Sequence, residues 1–179
     1  ILDTWRTLGM RGTGSHDVVI DGHVVPDAAI AGRRVAGEWH PLFHIIATIA
    51  FPLVYSVYLG VAESARDTAI AIAKRKSPND HAVRLAGCME TELTGARLAH
   101  ESMLAAVRRN EPSAETVNQV MIGKQLVTRH AIAAVELAME LAGGAGFAGV
   151  WATRHACAVC AALLGALVVV FHNRLELLL

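Results

Sequence analysis

Few positions in this sequence have the chemistry and setting of a site. His172, in Phe171-His172-Asn173, follows an apolar stretch. Desolvation against an apolar wall depresses an imidazole's pKa, so such a histidine works as an acid or base near neutrality. The same position also suits a helix C-terminal histidine bonded to free carbonyls. Gly143-Gly144-Ala145-Gly146 either lets a backbone approach a cofactor closely or simply stops a helix. It is not a dinucleotide fingerprint, because a helical pattern rather than a strand precedes it. Arg11, in Gly9-Met10-Arg11-Gly12, is a cation in a glycine turn. That setting suits an anionic ligand, and it is also a common surface arrangement.

Other constellations are weaker. Cys157 and Cys160 lie on one helical face with no second ligand pair, so they read as small buried hydrophobes rather than zinc ligands. The 9 histidines are scattered. His40 and His44 share a face, but no carboxylate lies between them in a metallohydrolase pattern. No Gly-x-Ser-x-Gly elbow and no phosphate-binding P-loop is present.

The bulk properties narrow the function classes. Lys+Arg and Asp+Glu are both 16 in 179 residues, so no basic excess exists to attract nucleic acid. Hydrophobic residues make up 54% and mean hydropathy is +0.41. That surface must go into a large core, a subunit interface or a bilayer. The uncharged run 156–171 is shorter than the roughly 20 residues a membrane span needs. The uncharged stretch 45–62 is interrupted by Pro52, Tyr55, Ser56, Tyr58 and Gly60. No membrane span and no signal peptide are expected. Three cysteines give no disulfide framework and suit a reducing, cytoplasmic setting.

The elements that must position these residues fall into two parts. Residues 5–26 are glycine-punctuated, with strand-like Val18-Val19-Ile20 and Val24-Val25 around an Asp21-Gly22 hairpin turn. Pro26 ends that pairing because it lacks a backbone donor. Two short strands need a partner sheet, and the sequence offers none. It therefore reads as the rear part of something larger, opening at Ile1 rather than Met. Gly32 to Gly37, with Arg33 and Arg34, reads as a linker. Helices are predicted over 39–76, with Pro41 near the start and a kink at Pro52, then 81–109, 114–142 and 149–171. Asn79 or Asp80 caps the second, Ser113 caps the third, and Gly143-Gly144 stops it. In the third, Val120, Val127, Ala131, Ala134, Ala138 and Leu141 share one face. The predicted fold is mainly α, an antiparallel four-helix bundle over 37–179 preceded by a β fragment over 1–36.

Residues 5–26 resemble the last part of the β-barrel domain in the acyl-CoA dehydrogenase superfamily. The similarity is closest to its flavin-dependent monooxygenase branch, whose C-terminal domain is called type 2. It is carried by Leu8-Gly9-Met10-Arg11-Gly12-Thr13-Gly14-Ser15, by Asp17-Val18 and by Val25-Pro26. Later support comes from Gly123-Lys124-Gln125-Leu126-Val127-Thr128 and from Glu136 through Gly143-Gly144-Ala145-Gly146-Phe147. Essentially the whole chain is covered.

The resemblance implies a flavin, FAD or FMN, held between the β-domain and the bundle with help from a neighbouring subunit. Arg11 and Ser15 would contact that cofactor, and Gly143 and Gly144 would approach it from the neighbour. It implies a homotetramer assembled through the bundle, and a hydrophobic or acyl-CoA substrate. In the dehydrogenase branch a glutamate base falls near Asn173, which cannot take a proton. In the monooxygenase branch a histidine near this point supports the oxygenated flavin, and His172 fits it. The Arg-Asp pair the family carries in its last helix is replaced here by Leu164-Gly165. The family's N-terminal helical domain and the front of its β-domain have no counterpart in these 179 residues. A second reading is therefore a non-catalytic oligomerising bundle, a remnant of such an enzyme.

Overall fold

In a computed structural model the residues described are 1–7, 11–77 and 79–147. They form three long helices: α1, Leu42–Ala73; α2, Asp80–Arg109; and α3, Ala114–Ala142. Pro41 opens α1, since a missing amide costs nothing where no partner exists. Asn79 caps α2, its Oδ1 accepting from the Ala82 amide at 2.8 Å. Asn110, at φ +52°, closes α2 in the left-handed conformation. Ser113 caps α3, with Oγ accepting from the Thr116 amide at 3.2 Å. Gly143, at φ +63°, ends α3. The expected boundaries of α2 and α3 are met to within a residue, and α1 is shorter by three residues at each end.

Cross-helix pairs fix the register. Arg97 to Glu63 (2.9 Å) and Arg66 to Glu90 (2.7 Å) run α2 antiparallel to α1. His130 to Glu92 (2.7 Å) and Gln119 to the Ser102 carbonyl (2.9 Å) run α3 antiparallel to α2. Lys124 meets Phe51, and Lys76 meets Ala142, so α1 and α3 lie parallel. Between the helices the core is rich in alanine. Ala62, Ala65 and Ala69 of α1 pack with Leu85, Met89 and Leu93 of α2 and with Ala131, Ala134, Val135 and Ala138 of α3. Small side chains let three backbones approach closely. A second cluster, nearer the other end, joins Tyr55, Ala99, Met103, Ala106, Val120 and Val127.

Pro52 does not interrupt α1, which runs unbroken through it. Its carbonyl accepts from His100 Nε2 at 2.9 Å, so α2 braces the turn that the missing amide would weaken.

One expectation changes. Among the described residues no strand forms at 18–20 or 24–25, and the sole β-like feature is an isolated antiparallel bridge between Leu2 and Asp17. Val18, Val19, Ile20, Val24 and Val25 are all exposed. With no third strand and no face to bury, β-branched residues alone do not hold a ladder. The fourth helix, expected over 149–171, lies outside the described residues, as do Cys157, Cys160 and His172.

One face of α1 is left open. Leu42, Ile46, Ile49, Leu53 and Val57 recur at helical spacing and are 48–66% exposed. The opposite face carries buried Tyr55, Ala62, Ala65 and Ala69. By length and composition α1 could also cross a membrane, with hydropathy 2.0 over its most apolar window.

Candidate functional site

The ends of the helices create a cleft. Where α1 finishes, α2 begins and α3 finishes, a cavity of about 440 Å³ opens. Ile70, Ala73, Ala82, Leu85 and Leu141 form its apolar wall. Lys74, Lys76, Ser77, Asn79, His81 and Glu140 supply polar groups. His81 Nε2 lies 3.7 Å from Glu140 Oε1 across the α2–α3 seam. The first amides of α2 add the positive end of a helix dipole on the same side. An apolar wall with lysines beside it suits a flat ligand that carries an anionic group.

Gly143 and Gly144 lie beside this cleft. Lys76 Nζ donates to the Ala142 carbonyl at 3.0 Å and sits 3.6 Å from where a Cβ on Gly143 would stand. A Cβ on Gly144 would meet nothing within 4 Å, so a ligand can approach that backbone. The glycine turn thus both caps α3 and borders a cavity. Arg11 and Ser15 are elsewhere. Arg11 opens a 3-10 turn, Arg11–Thr13, and the Ser15 hydroxyl pairs with Thr13 Oγ1 at 3.2 Å. His16 Nδ1 accepts from the Thr4 and Trp5 amides at 3.1 Å, tying this segment to the chain's start. The structure therefore unites Gly143 and Gly144 with the α1–α2 turn and does not unite Arg11 and Ser15 with them. No group of three metal-ligating side chains occurs among the described residues, and His40 and His44 form no such group.

Sequence reasoning passed over the cations. Lys74-Arg75-Lys76 before Ser77-Pro78 read as the tail of a helix, although three cations beside a turn are a signal for an anion. It also passed over Lys124, which sits between Val120 and Val127 at core spacing. Lys124 is 1% exposed, and its ammonium lies 4.5 Å above the Phe51 ring. No hydrogen bond or ion pair reaches it from the described residues. Burial lowers its pKa from the ordinary 10.5. One turn along α1, Tyr55 is equally buried, and desolvation raises its pKa from 10.0. Its hydroxyl lies by Thr128 without hydrogen-bonding geometry, and the Thr128 proton goes to the Lys124 carbonyl at 3.0 Å.

The chain belongs to the acyl-CoA dehydrogenase family: residues 52–161 match the C-terminal domain of acyl-CoA dehydrogenase. It is 33% identical over 160 residues to YdbM of Bacillus subtilis, which is named for acyl-CoA dehydrogenase. That alignment covers 80% of this chain and 39% of YdbM. It is 27% identical to the amino sugar nitrososynthase DnmZ of Streptomyces peucetius, over 82% of this chain and 39% of DnmZ. The structure is similar to KijD3 crystallised with FMN and dTDP-3-amino-2,3,6-trideoxy-4-keto-3-methyl-D-glucose. The TM-score is 0.76 at 26% identity, covering 92% of this chain and 42% of KijD3. The chain thus spans about two fifths of the length of the relatives it matches.

Proposed function

We propose that this chain is the C-terminal portion of a flavin-dependent oxidoreductase, and that the cleft beside Gly143 receives the flavin's phosphate. The observation that carries this reading is Gly143 standing next to Lys76, which lines the cleft together with Lys74, in a chain similar to a protein crystallised with FMN. In this reading the lysines pair with the phosphate, the wall around Ile70 and Leu141 takes an apolar ring, and the glycine backbone admits close approach. The bound flavin would supply two-electron redox chemistry. Two branches follow. Relatives named nitrososynthases favour oxygenation, since forming a nitroso group from an amine is an N-oxidation. The similarity to YdbM favours acyl-CoA dehydrogenation, against which Asn173 stands as a non-basic residue. On the oxygenating branch His172 would be the chain's acid–base group toward the flavin. FAD and FMN share the phosphate that the cleft would hold.

Titration of the protein with FMN tests this. Saturable quenching of flavin fluorescence is expected, weakening as salt rises because the contacts are ionic. Replacing Lys74 and Lys76 by glutamate should abolish it. No quenching by the native chain would overturn flavin binding and leave the oligomerising remnant. In a turning-over enzyme, His172→Asn should raise peroxide release, and unchanged coupling would remove that role.

Residues 1–36 are read as the end of a β-domain whose remaining strands come from elsewhere, and 37–179 as a four-helix bundle. Support for the first part comes from the unpaired valines at 18–25. We further propose that the open α1 face, Leu42 to Val57, is the interface of a homotetramer. An exposed apolar stripe of this length is an association surface. Light scattering should give a tetramer for the native chain and a smaller species for Ile49→Asp/Leu53→Asp. An unchanged mass in that variant would move the interface elsewhere.

A further inference from the structure

We infer that Lys76 is the positioning residue of the Gly143–Gly144 turn, so that one ammonium both sets the turn and faces the cleft. The last carbonyls of a helix have no intrahelical partner, and a cation there is favourable. α3 has no basic residue in its own last turn. Lys76, 66 residues away in sequence, supplies that charge by donating to the Ala142 carbonyl at 3.0 Å. The next residue is Gly143 at φ +63°, ψ −143°, a conformation that L side chains rarely adopt. Only 3.6 Å separates Lys76 Nζ from the missing Cβ of that glycine. A side chain at 143 would therefore be strained in its backbone, with its Cβ in van der Waals contact with the ammonium.

An ammonium has three donors, and Ala142 takes one. Lys76 also lines the cleft, so its remaining donors are available to an anion there. Occupation of the cleft and order in the turn are then coupled, each strengthening the other. The ligand side of this coupling rests on the flavin reading, but the positioning of the turn does not.

Residue-resolved hydrogen exchange on the native chain separates the two. In Lys76→Met, amides at 142–145 should exchange about fivefold faster, while those at 127–134 and the melting temperature stay unchanged. Lys76→Arg should restore the native rates, because charge and donor are kept. FMN should slow exchange at 142–145 in the native chain and in Lys76→Arg, but not in Lys76→Met. Equal rates at 142–145 in Lys76→Met and the native chain would overturn the positioning role. Faster exchange in Lys76→Met with no FMN effect on the native chain would keep that role and overturn the flavin reading alone.

Discussion

Lys124→Met should make the bundle more stable at neutral pH, by about 1–3 kcal/mol. The native chain places an ammonium where it is 1% exposed and has no carboxylate or carbonyl partner among the described residues. Its compensation is the face of Phe51, 4.5 Å away. A cation–π contact is worth about 2 kcal/mol when desolvated, whereas removing an ammonium from water costs several kcal/mol. Desolvation therefore wins, and the folded chain holds the amine below its ordinary 10.5. Methionine keeps a long unbranched stem of similar volume and removes the charge.

The same imbalance gives a pH signature. Because the unfolded chain holds the Lys124 proton more tightly, stability rises with pH from the lowered folded value up to 10.5. Tyr55 and Tyr58 act in the opposite sense. Burial raises both above 10.0, so their contribution is complete below that pH and is lost as pH climbs toward their folded values. His100, facing the same region from α2, donates to the Pro52 carbonyl. Native stability should thus climb on the alkaline side of neutrality and fall beyond about pH 10, and Lys124→Met should lose the climb and keep the fall. Urea melts at pH 7, 9 and 10.5 check this. A less stable Lys124→Met at pH 7 would overturn the reading of Lys124 as an uncompensated buried charge.

The termini of α2 and α3 were legible because capping is local chemistry. Asn79, Ser113 and Gly143 each satisfy or end a helix through atoms within a few residues. The buried stripe of α3 was legible for a similar reason, since 3.6-residue periodicity marks a face wherever its partners lie. The valines at 18–25 misled because β-propensity expresses fit to a sheet, and no sheet reaches them among the described residues. Lys124 was hidden by its charge, which argues for solvent even at core spacing. The cleft could not be read at all. It exists because α1 runs parallel to α3, and that register depends on contacts between residues far apart in sequence. The glycine turn and the family were visible in the residues, but the lysines facing that turn needed the fold.

Gly123→Ala should cost about 1–2 kcal/mol, against the usual trend. Inside a helix, alanine is favoured over glycine by about 1 kcal/mol. Gly60 and Gly87 should follow that rule, because a Cβ at either meets nothing within 4 Å. At Gly123 a Cβ would stand 2.3 Å from Met103 Cγ and 3.2 Å from the Ala99 carbonyl oxygen. Met103 is fully buried, so it has little room to swing away. The Ala99 oxygen belongs to the α2 backbone and moves only if the helix moves. Overpacking of this kind costs about 1–3 kcal/mol, which outweighs the gain in helix propensity. A double-mutant cycle isolates the clash. Met103→Ala alone should cost about 2–5 kcal/mol by leaving a cavity, and in Gly123→Ala/Met103→Ala the new methyl partly fills it. The pair should therefore cost less than the sum of the singles, by about 1–2 kcal/mol. Additive costs, or a Gly123→Ala that stabilises as Gly60→Ala does, would mean that α2 and α3 do not cross at Ala99, Met103 and Gly123.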